Sequence, residues 1–298
     1  MRVFVTGATG YVGGFILQEL RRQHIKARCL VRTYGQAERI NADGTEAVIG
    51  DITNPKTLEG ILTGCDAVIH LVAIIEEDRK KDITFARLNY EATKNMVDLA
   101  LAQGVRRFLH MSALGADVNG ATAYFRSKGK AEACVRDSGL NYTIFRPSFI
   151  FGPGDAVFTM LAKTIKKVPL GLMPHFGIRR YRHQPVSIYD VTRGIVNALE
   201  NEKTFHKTYD VGGPHPLSYK EQLRAIASAI DAKVHLVPLP LFISRIVVAA
   251  MALFPSSPID QDKLTMLTLD NVCDPRPFAE DFRIDLMPFR QGITYLKK

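Results

Sequence analysis

A tyrosine and a lysine four residues apart, Tyr124 and Lys128, are the side chains best suited to acid–base chemistry. Residues i and i+4 share one face of a helix. A lysine ammonium there lowers the pKa of the phenol, so that the tyrosine can exchange a proton with an alcohol or a carbonyl. Ser112 ends the preceding predicted strand and could hold the same oxygen. Ser112, Tyr124 and Lys128 are therefore candidate catalytic residues, and cofactor binding without turnover stays open as the alternative.

The Y-x-x-x-K spacing alone is not specific. A second copy occurs at Tyr90 and Lys94, also in a predicted helix. Only placement separates the two copies, because the helix of Tyr124 directly follows the strand-end Ser112. This placement favours the pair Tyr124 and Lys128 for catalysis.

The first fourteen residues, MRVFVTGATGYVGG, form the clearest structural signal. A β-branched run predicts a strand at Arg2–Thr6, and helical periodicity follows over Tyr11–Arg22. The glycines between them allow a tight turn, close approach of a pyrophosphate and close helix–sheet packing, and the helix N-terminus offers N–H groups to phosphates. The spacing G-x-x-G-x-x-G meets the general dinucleotide pattern only loosely. The predicted cofactor contacts in this turn are Gly7, Thr9, Gly10, Tyr11, Val12 and Gly13.

Two later strand ends bear on how a nucleotide would be held. Arg32 closes the second predicted strand, where an acid would accept from a ribose 2′-hydroxyl and an arginine accommodates a 2′-phosphate. This favours NADP(H), with NAD(H) as the alternative. Asp51 follows the third strand with Ile52, and either accepts from the adenine amino group or caps the next helix. Leu71, Val72 and Ala73 follow the fourth strand, where small apolar residues let the backbone pass close to the nicotinamide.

Strands and helices alternate up to about residue 150, which predicts an α/β fold with a Rossmann-type, doubly wound parallel sheet. The predicted strands are Arg2–Thr6, Lys26–Arg32, Glu46–Gly50, Asp66–Leu71, Arg107–Met111 and Tyr142–Arg146, and the predicted helices are Tyr11–Arg22, Gln36–Asn41, Pro55–Leu62, Phe85–Gln103 and Ala121–Asp137. We expect residues 1–150 to form the nucleotide-binding domain. Residues 151–298 would form a smaller C-terminal α/β lobe for substrate or partner, with some segments packing back on the main sheet.

The composition is that of an ordinary globular protein, with 46% hydrophobic and 23% charged residues among 298. A net charge of +9 favours anionic partners such as nucleotide phosphates or acidic lipids. The basic residues are dispersed, so no nucleic-acid partner is expected. The four cysteines are isolated, as in a reducing compartment, and the first strand leaves no room for a targeting peptide. We therefore expect a cytoplasmic protein.

The most apolar stretch is Leu236–Phe254, which Pro238, Pro240 and Arg245 interrupt too often for a membrane-spanning helix. It is either a core helix or a patch that lies against a membrane or a partner. The histidines show no metal-binding spacing, so no metal site is expected. His70 and His110 lie in apolar strands and should be packed or hydrogen-bonded.

Taken together, several motifs resemble the short-chain dehydrogenase/reductase superfamily, and the glycine spacing is similar to that of its extended and atypical branches. These motifs are TGATGYVG at Thr6–Gly13, Gly50-Asp51, Ser112, Tyr124 with Lys128, and Arg146-Pro147-Ser148. Longer stretches resemble a narrower group, the bacterial relatives of the NAD(P)H-binding subunit 9 of the mitochondrial complex I alpha subcomplex. They are Arg146–Asp155, His183–Val191, Thr208–Tyr219 and Asp262–Val272, so the likeness covers nearly the whole chain.

The resemblance implies a bound NADP(H), with the three glycines around the pyrophosphate, Arg32 near the 2′-phosphate and Lys128 on the ribose. Asp51, Ala73, Ser112, Tyr124 and Pro147 would follow the course of the cofactor. In the mitochondrial relatives the nucleotide is structural. Two functions therefore follow, an NAD(P)-dependent oxidoreductase linked to quinone or respiratory-chain metabolism, or a non-catalytic NADPH-binding assembly protein; a sugar-nucleotide epimerase or dehydratase is a third. The family's link to respiratory complexes suggests that Leu236–Phe254 serves a quinone-like substrate, or a peripheral contact with the inner membrane face or a respiratory complex.

Overall fold

The computed structural model describes residues 1–40, 44–176, 181–239, 242 and 261–297. The chain forms two compact units. Unit 1 comprises Met1–Pro147, Ile188–Val211 and Arg276–Asp285, and unit 2 comprises Ser148–Ser187, Gly212–Pro275 and Leu286–Lys298.

The strands of the described residues, in chain order, are β1 (Arg2–Thr6), β2 (Lys26–Val31), β3 (Thr45–Ile49), β4 (Ala67–His70), β5 (Arg107–Met111), β6 (Asn141–Pro147), β7 (Ile150–Phe151), β8 (Leu172–Phe176), β9 (Arg182–His183), β10 (Val186–Ser187), β11 (Lys207–Val211), β12 (Leu217–Ser218) and β13 (His235–Leu239). The α-helices are α1 (Tyr11–Arg22), α2 (Tyr34–Ile40), α3 (Ala92–Ala102), α4 (Ala123–Arg136), α5 (Val157–Lys167), α6 (Ile188–Asn197), α7 (Tyr219–Ala229), α8 (Gln261–Leu267), α9 (Arg276–Phe282) and α10 (Phe289–Gly292). Short 3-10 helices lie at Pro55–Leu58, Arg79–Lys81, Pro169–Gly171, Glu202–Thr204 and Thr294–Lys297, and a π-helical turn lies at Ala86–Glu91.

Unit 1 is built on a parallel sheet, whose seven strands in the described part of the chain follow the order β3-β2-β1-β4-β5-β6-β11. In register, Thr6 of β1 lies between Leu30 of β2 and His70 of β4. The strand order reverses between β1 and β4, and this reversal leaves a crevice at the carboxyl ends of the strands. The predicted Rossmann-type, doubly wound parallel sheet is confirmed.

The core of unit 1 forms because successive side chains of a strand point to opposite faces of the sheet. Phe4, Val68 and Phe108 lie on neighbouring strands, are fully buried, and belong to one cluster with Met96 and Val97 of α3. Burying such a side chain contributes about 1.5–3 kcal/mol. This packing fixes α3 against the sheet and sets the position of the loop that precedes it.

Two predicted helices differ in the structure. Pro55–Leu62 shortens to a 3-10 helix, Pro55–Leu58, with Asn54 as its N-cap. The predicted helix Phe85–Gln103 begins instead with the π-helical turn Ala86–Glu91. In this turn the buried Asn89 exchanges two hydrogen bonds with the backbone of Ile74, accepting from its N–H (2.8 Å) and donating to its carbonyl (3.1 Å). A π turn often marks a functional site, because the extra residue redirects a side chain.

Unit 2 is organised around an aromatic and aliphatic cluster. Phe151, Phe158 and Phe289 pack edge to face or tilted, with ring centroids 4.9–6.4 Å apart, and Leu223 and Ile226 of α7 join them. Of the apolar stretch Leu236–Phe254, residues 236–239 belong to β13, whereas residues 240, 241 and 243–254 lie outside the described residues. Among the helices that the structure describes, none combines the length and hydropathy needed to cross a membrane.

Candidate functional site

A cavity of about 420 Å³ lies in unit 1, where the loops after β1, β2, β3 and β4 meet. Nine predicted cofactor contacts line it: Gly7, Thr9, Gly10, Arg32, Asp51, Ile52, Leu71, Val72 and Ala73. The other five lie outside its lining: Tyr11, Val12, Gly13, Lys128 and Pro147. Its position at the strand reversal is where doubly wound folds hold dinucleotides.

The glycine turn fits a pyrophosphate. Gly7 has φ +74°, and a Cβ there would lie 3.2 Å from Leu71. The Gly10 N–H donates to the Gly7 carbonyl at 3.0 Å, which closes the turn. Gly10 is the N-cap of α1 and offers no side chain to the first turn, so backbone N–H groups of that turn are available to an anion. Gly13 lets the first turn of α1 pack closely against the glycine turn, since a Cβ there would lie 2.2 Å from the Gly7 carbonyl oxygen.

The two residues expected at the adenosine end both line the cavity. Arg32 is exposed and lines the cavity, and its backbone N–H donates to Gln36 Oε1 at 2.8 Å. The Asp51 carboxylate accepts from the Thr53 N–H and hydroxyl, both at 2.8 Å. Asn54 occupies the N-cap of the following helix, so the capping alternative for Asp51 is wrong.

Two of the candidate catalytic residues, Ser112 and Lys128, lie together at the end of β5. Lys128 Nζ donates to the Met111 carbonyl at 2.7 Å, which places the ammonium beside Ser112. The Ser112 N–H donates to the Phe145 carbonyl at 2.7 Å, and the Leu114 N–H donates to that of Pro147 at 3.0 Å. The Ser112 hydroxyl is buried and has no hydrogen-bond partner among the described residues. Tyr124 lies one turn before Lys128 on α4.

Burial sets the protonation of this pair. It raises the pKa of Tyr124 to about 12 and lowers the pKa of Lys128 to about 8, against the opposing effect of the Glu132 carboxylate. The sequence predicted a lowered pKa for Tyr124 from the nearby ammonium, whereas the pKa is raised, and burial is the cause. At neutral pH Tyr124 is therefore a phenol, suited to giving a proton rather than taking one.

A sequence profile of NAD(P)H-binding proteins matches residues 7–168, more than half of the chain. The chain belongs to this NAD(P)H-binding family. The match covers the glycine turn, the cavity residues and the Ser112, Tyr124 and Lys128 positions together.

Three relatives of this NAD(P)H-binding protein have different activities or roles in their names. It is 26% identical to a UDP-glucose 4-epimerase of Vibrio cholerae, over 80% of this chain and 79% of that protein. It is 26% identical to the NADH dehydrogenase [ubiquinone] 1 alpha subcomplex subunit 9 of Arabidopsis thaliana, over 82% of this chain but only 62% of that protein. It is 29% identical to a 4-hydroxy-2-methyl-3-oxo-4-farnesyl-3,4-dihydroquinoline-1-oxide ketoreductase of Stigmatella aurantiaca, over 67% of this chain and 65% of that protein. The resemblance to complex I subunit 9 and to short-chain dehydrogenase/reductase enzymes is confirmed.

Solved structures agree on the fold. The crystal structure of UDP-glucose 4-epimerase from Thermotoga maritima superposes with a TM-score of 0.77 at 16% identity, covering 100% of this chain and 97% of that one. At this identity the likeness shows the fold alone.

The sequence did not reveal two polar residues that contact the helix of the candidate catalytic residues or the strand beside it. Glu132, fully buried, pairs with Arg136 at 2.5 Å and with Arg146 at 2.6 Å. It lies four residues after Lys128, so the longer pattern Y-x-x-x-K-x-x-x-E was the available signal. Asn89 donates to Ser127 Oγ at 3.0 Å, and that hydroxyl donates to the Tyr124 carbonyl at 2.7 Å. These contacts join α4 to β6 and to the π-helical turn.

The second Y-x-x-x-K pair and the strand histidines have structural roles. Lys94 pairs with Asp98 at 2.6 Å on an exposed part of α3. His70 is hydrogen-bonded to Thr6 and Thr93 at 2.8 and 3.1 Å, and His110 stacks on it with ring centroids 5.5 Å apart. The prediction that both histidines are packed or hydrogen-bonded is confirmed.

Proposed function

We propose that this NAD(P)H-binding protein is an oxidoreductase that reduces a hydrophobic carbonyl or quinone-like substrate. The observation that carries the proposal is the Ser112 hydroxyl, which is buried without a hydrogen-bond partner among the described residues. An unsatisfied buried hydroxyl costs about 1–3 kcal/mol, so a ligand oxygen is its natural partner. The farnesylated ketone in the name of the Stigmatella ketoreductase supports an apolar carbonyl substrate.

The protonation states favour the direction of reduction. When bound, the reduced nicotinamide supplies the hydride. Tyr124, with a pKa of about 12, keeps its proton at neutral pH and can give it to an alkoxide, which is a far stronger base than a phenolate. Ser112 would hold the substrate oxygen with a hydrogen bond, and Lys128, beside it on the Met111 carbonyl, would stabilise the developing negative charge and hold the ribose.

NADP(H) is the proposed cofactor, with NAD(H) as the alternative. Support comes from Arg32, an exposed residue that lines the cavity and whose planar guanidinium suits a phosphate. No acid stands at this strand end to accept from a ribose 2′-hydroxyl.

The test measures oxidation of NADPH with a panel of carbonyls and quinones, after the nucleotide that copurifies has been identified. We expect turnover by the wild type and a loss of about 100-fold or more in kcat for Tyr124→Phe, since positioned acid–base groups typically contribute 10²–10⁴-fold. Tyr90→Phe is the matched control, because it removes the same hydroxyl from the second Y-x-x-x-K pair. Equal rates for Tyr124→Phe and the wild type would refute the catalytic assignment.

A second function, a non-catalytic NADPH-binding assembly protein, is favoured by two observations. Tyr124 is deeply buried and lacks a lowered pKa, and the Arabidopsis relative is named as a complex I subunit. Stabilisation by NADPH with no turnover of any acceptor would select this function. Interconversion of UDP-glucose and UDP-galactose would instead select the third candidate, an epimerase like the Vibrio relative.

We also propose a cytoplasmic location with a peripheral contact, through Leu236–Phe254, to the inner membrane face or a respiratory complex. Support comes from the net charge of +9 and from two exposed apolar side chains of this segment, Val237 and Phe242. Flotation with vesicles containing anionic lipid tests the membrane contact. Protein that stays at the bottom of the gradient at low salt would refute that contact.

A further inference from the structure

One wall of the cavity carries a chain of polar contacts that joins three separate segments. Arg87, in the π-helical turn, donates through Nη1 to Asp82 and through Nη2 to the Thr53 hydroxyl at 3.1 Å. The Thr53 hydroxyl donates in turn to Asp51 Oδ1 at 2.8 Å. All four residues line the cavity. The chain therefore ends on the carboxylate proposed to face the adenine.

The direction of each hydrogen bond in this chain is determined by chemistry. A guanidinium only donates, so the Thr53 oxygen must accept from Arg87 and its single hydrogen is directed to Asp51. The Thr53 N–H donates to the same Oδ1 atom at 2.8 Å. Oδ1 thus holds two donors, whereas Oδ2 has no hydrogen bond within the described residues. The carboxylate is held in one orientation with one oxygen left to accept.

We propose that Arg87 is a positioning residue that acts through Thr53 to make Asp51 select adenine against 6-oxopurines. The 6-amino group of adenine donates to a carboxylate oxygen, whereas the 6-oxo group of hypoxanthine places a lone pair against it. A fixed carboxylate cannot turn away from that repulsion, but a freely rotating one can. The inference rests on the nucleotide site of the proposed function and deepens it to recognition of the base.

The test compares the binding of NADPH with that of its hypoxanthine analogue by fluorescence titration. We expect the wild type to prefer NADPH by about 10- to 100-fold, the range of one hydrogen bond to a charged group. Arg87→Met and Thr53→Val should reduce this ratio at least fivefold, mainly by weakening NADPH. Thr53→Ser keeps the hydroxyl and should retain the wild-type ratio within about twofold.

Lys81→Met is the matched control. Lys81 also lines the cavity, but its ammonium pairs with Asp78 at 2.9 Å and does not contact Thr53 or Asp51. Lys81→Met removes the same charge as Arg87→Met. It should therefore weaken the binding of both nucleotides by the same factor and leave the ratio of their affinities unchanged. If Lys81→Met lowers the ratio as much as Arg87→Met does, the effect is one of general charge and the proposal is overturned.

Two further outcomes are decisive. Thr53→Val is nearly isosteric, so it tests the proposal even if Arg87→Met fails to fold. If Thr53→Val keeps the wild-type ratio of NADPH binding to analogue binding, the proposed role of Arg87 and Thr53 is overturned. A wild type that binds both nucleotides equally overturns the selection of adenine. If the wild type binds neither nucleotide, the nucleotide site itself is wrong, and that failure is distinct from a lost preference.

Discussion

The close approach of α1 to the glycine turn makes Gly13 the position where a single methyl group should do most damage. An added Cβ would lie 2.2 Å from the Gly7 carbonyl oxygen and 2.7 Å from Ala8 Cα. Both neighbours are backbone atoms, so no side chain can rotate away. We expect Gly13→Ala to move α1 away from the turn by about 1 Å, the gap between these distances and van der Waals contact.

The size of the effect follows from the site. Inserting a methyl group into a well-packed core costs about 1–3 kcal/mol and occasionally more, and a contact with two rigid backbone atoms belongs at the upper end. The next residue supplies the comparison, since a Cβ on Gly14 would meet nothing within 4 Å. Gly14→Ala should therefore stabilise the protein by about 0.5–1 kcal/mol, the ordinary difference between glycine and alanine in a helix.

Thermal unfolding followed by circular dichroism measures both variants. At about 2–4 °C per kcal/mol, Gly13→Ala should lower the apparent Tm by about 5–10 °C, whereas Gly14→Ala should raise it slightly. The Gly7 carbonyl also holds the Gly10 N–H, so the displacement should reach the phosphate-facing turn and weaken NADPH binding at least tenfold in Gly13→Ala alone. Wild-type stability and affinity in Gly13→Ala would refute the close packing inferred from the turn.

Three other perturbations test separate parts of the site. In titrations, Arg32→Ala should weaken the binding of NADPH about tenfold and change the affinity for NADH by less than about twofold. Equal losses of affinity for the two nucleotides would contradict the assignment of NADP(H) as the cofactor. Burial lowers the pKa of Lys128 from 10.5 to about 8, so the folded state loses that proton before the unfolded state does as the pH rises. The free energy of urea unfolding of the wild type, relative to that of Lys128→Met, should therefore rise between pH 8 and 10.5 by up to roughly 3 kcal/mol. A flat difference would show that Lys128 is not desolvated. Glu132→Gln leaves Arg136 and Arg146 without their carboxylate and should cost about 1–3 kcal/mol in the same assay, less than a fully buried pair because both arginines reach solvent.

Sequence patterns were enough for six of the seven strands of the sheet, because the signals for these strands and their helices are local. The predicted β1 and α1 show this, since their bounds match the structure. The glycine turn was predictable for the same reason, since its three glycines lie within seven residues. The seventh strand, β11, reads KTYDV and lies far along the chain, so no short apolar run indicates that it joins the sheet. The first turn of the predicted helix at Phe85 was missed because its π-helical form depends on Asn89 binding Ile74, fifteen residues away, and no periodicity within the helix records that contact.

The polar networks of the site were hidden for a related reason. Arg87 reaches Thr53, 34 residues distant, and Arg146 reaches Glu132 across a helix and a strand. A residue's type shows what it can donate or accept, but only the fold shows whether a partner stands within 3 Å. The protonation of Tyr124 belongs to the same class, because its burial, and not its neighbour at i+4, decides its pKa.

The two Y-x-x-x-K pairs show that the surroundings of a short motif matter as much as its spacing. Their spacing is identical, and both begin in helical turns beside the same sheet. Lys94 forms an ion pair with Asp98 at an exposed surface, whereas Lys128 is buried and donates a hydrogen bond to the Met111 carbonyl at the end of β5. That carbonyl places the ammonium beside Ser112, the hydroxyl that lacks a hydrogen-bond partner among the described residues. The two pairs therefore differ in their surroundings and not in their spacing, and the adjoining Ser112 is the sequence feature that distinguishes them.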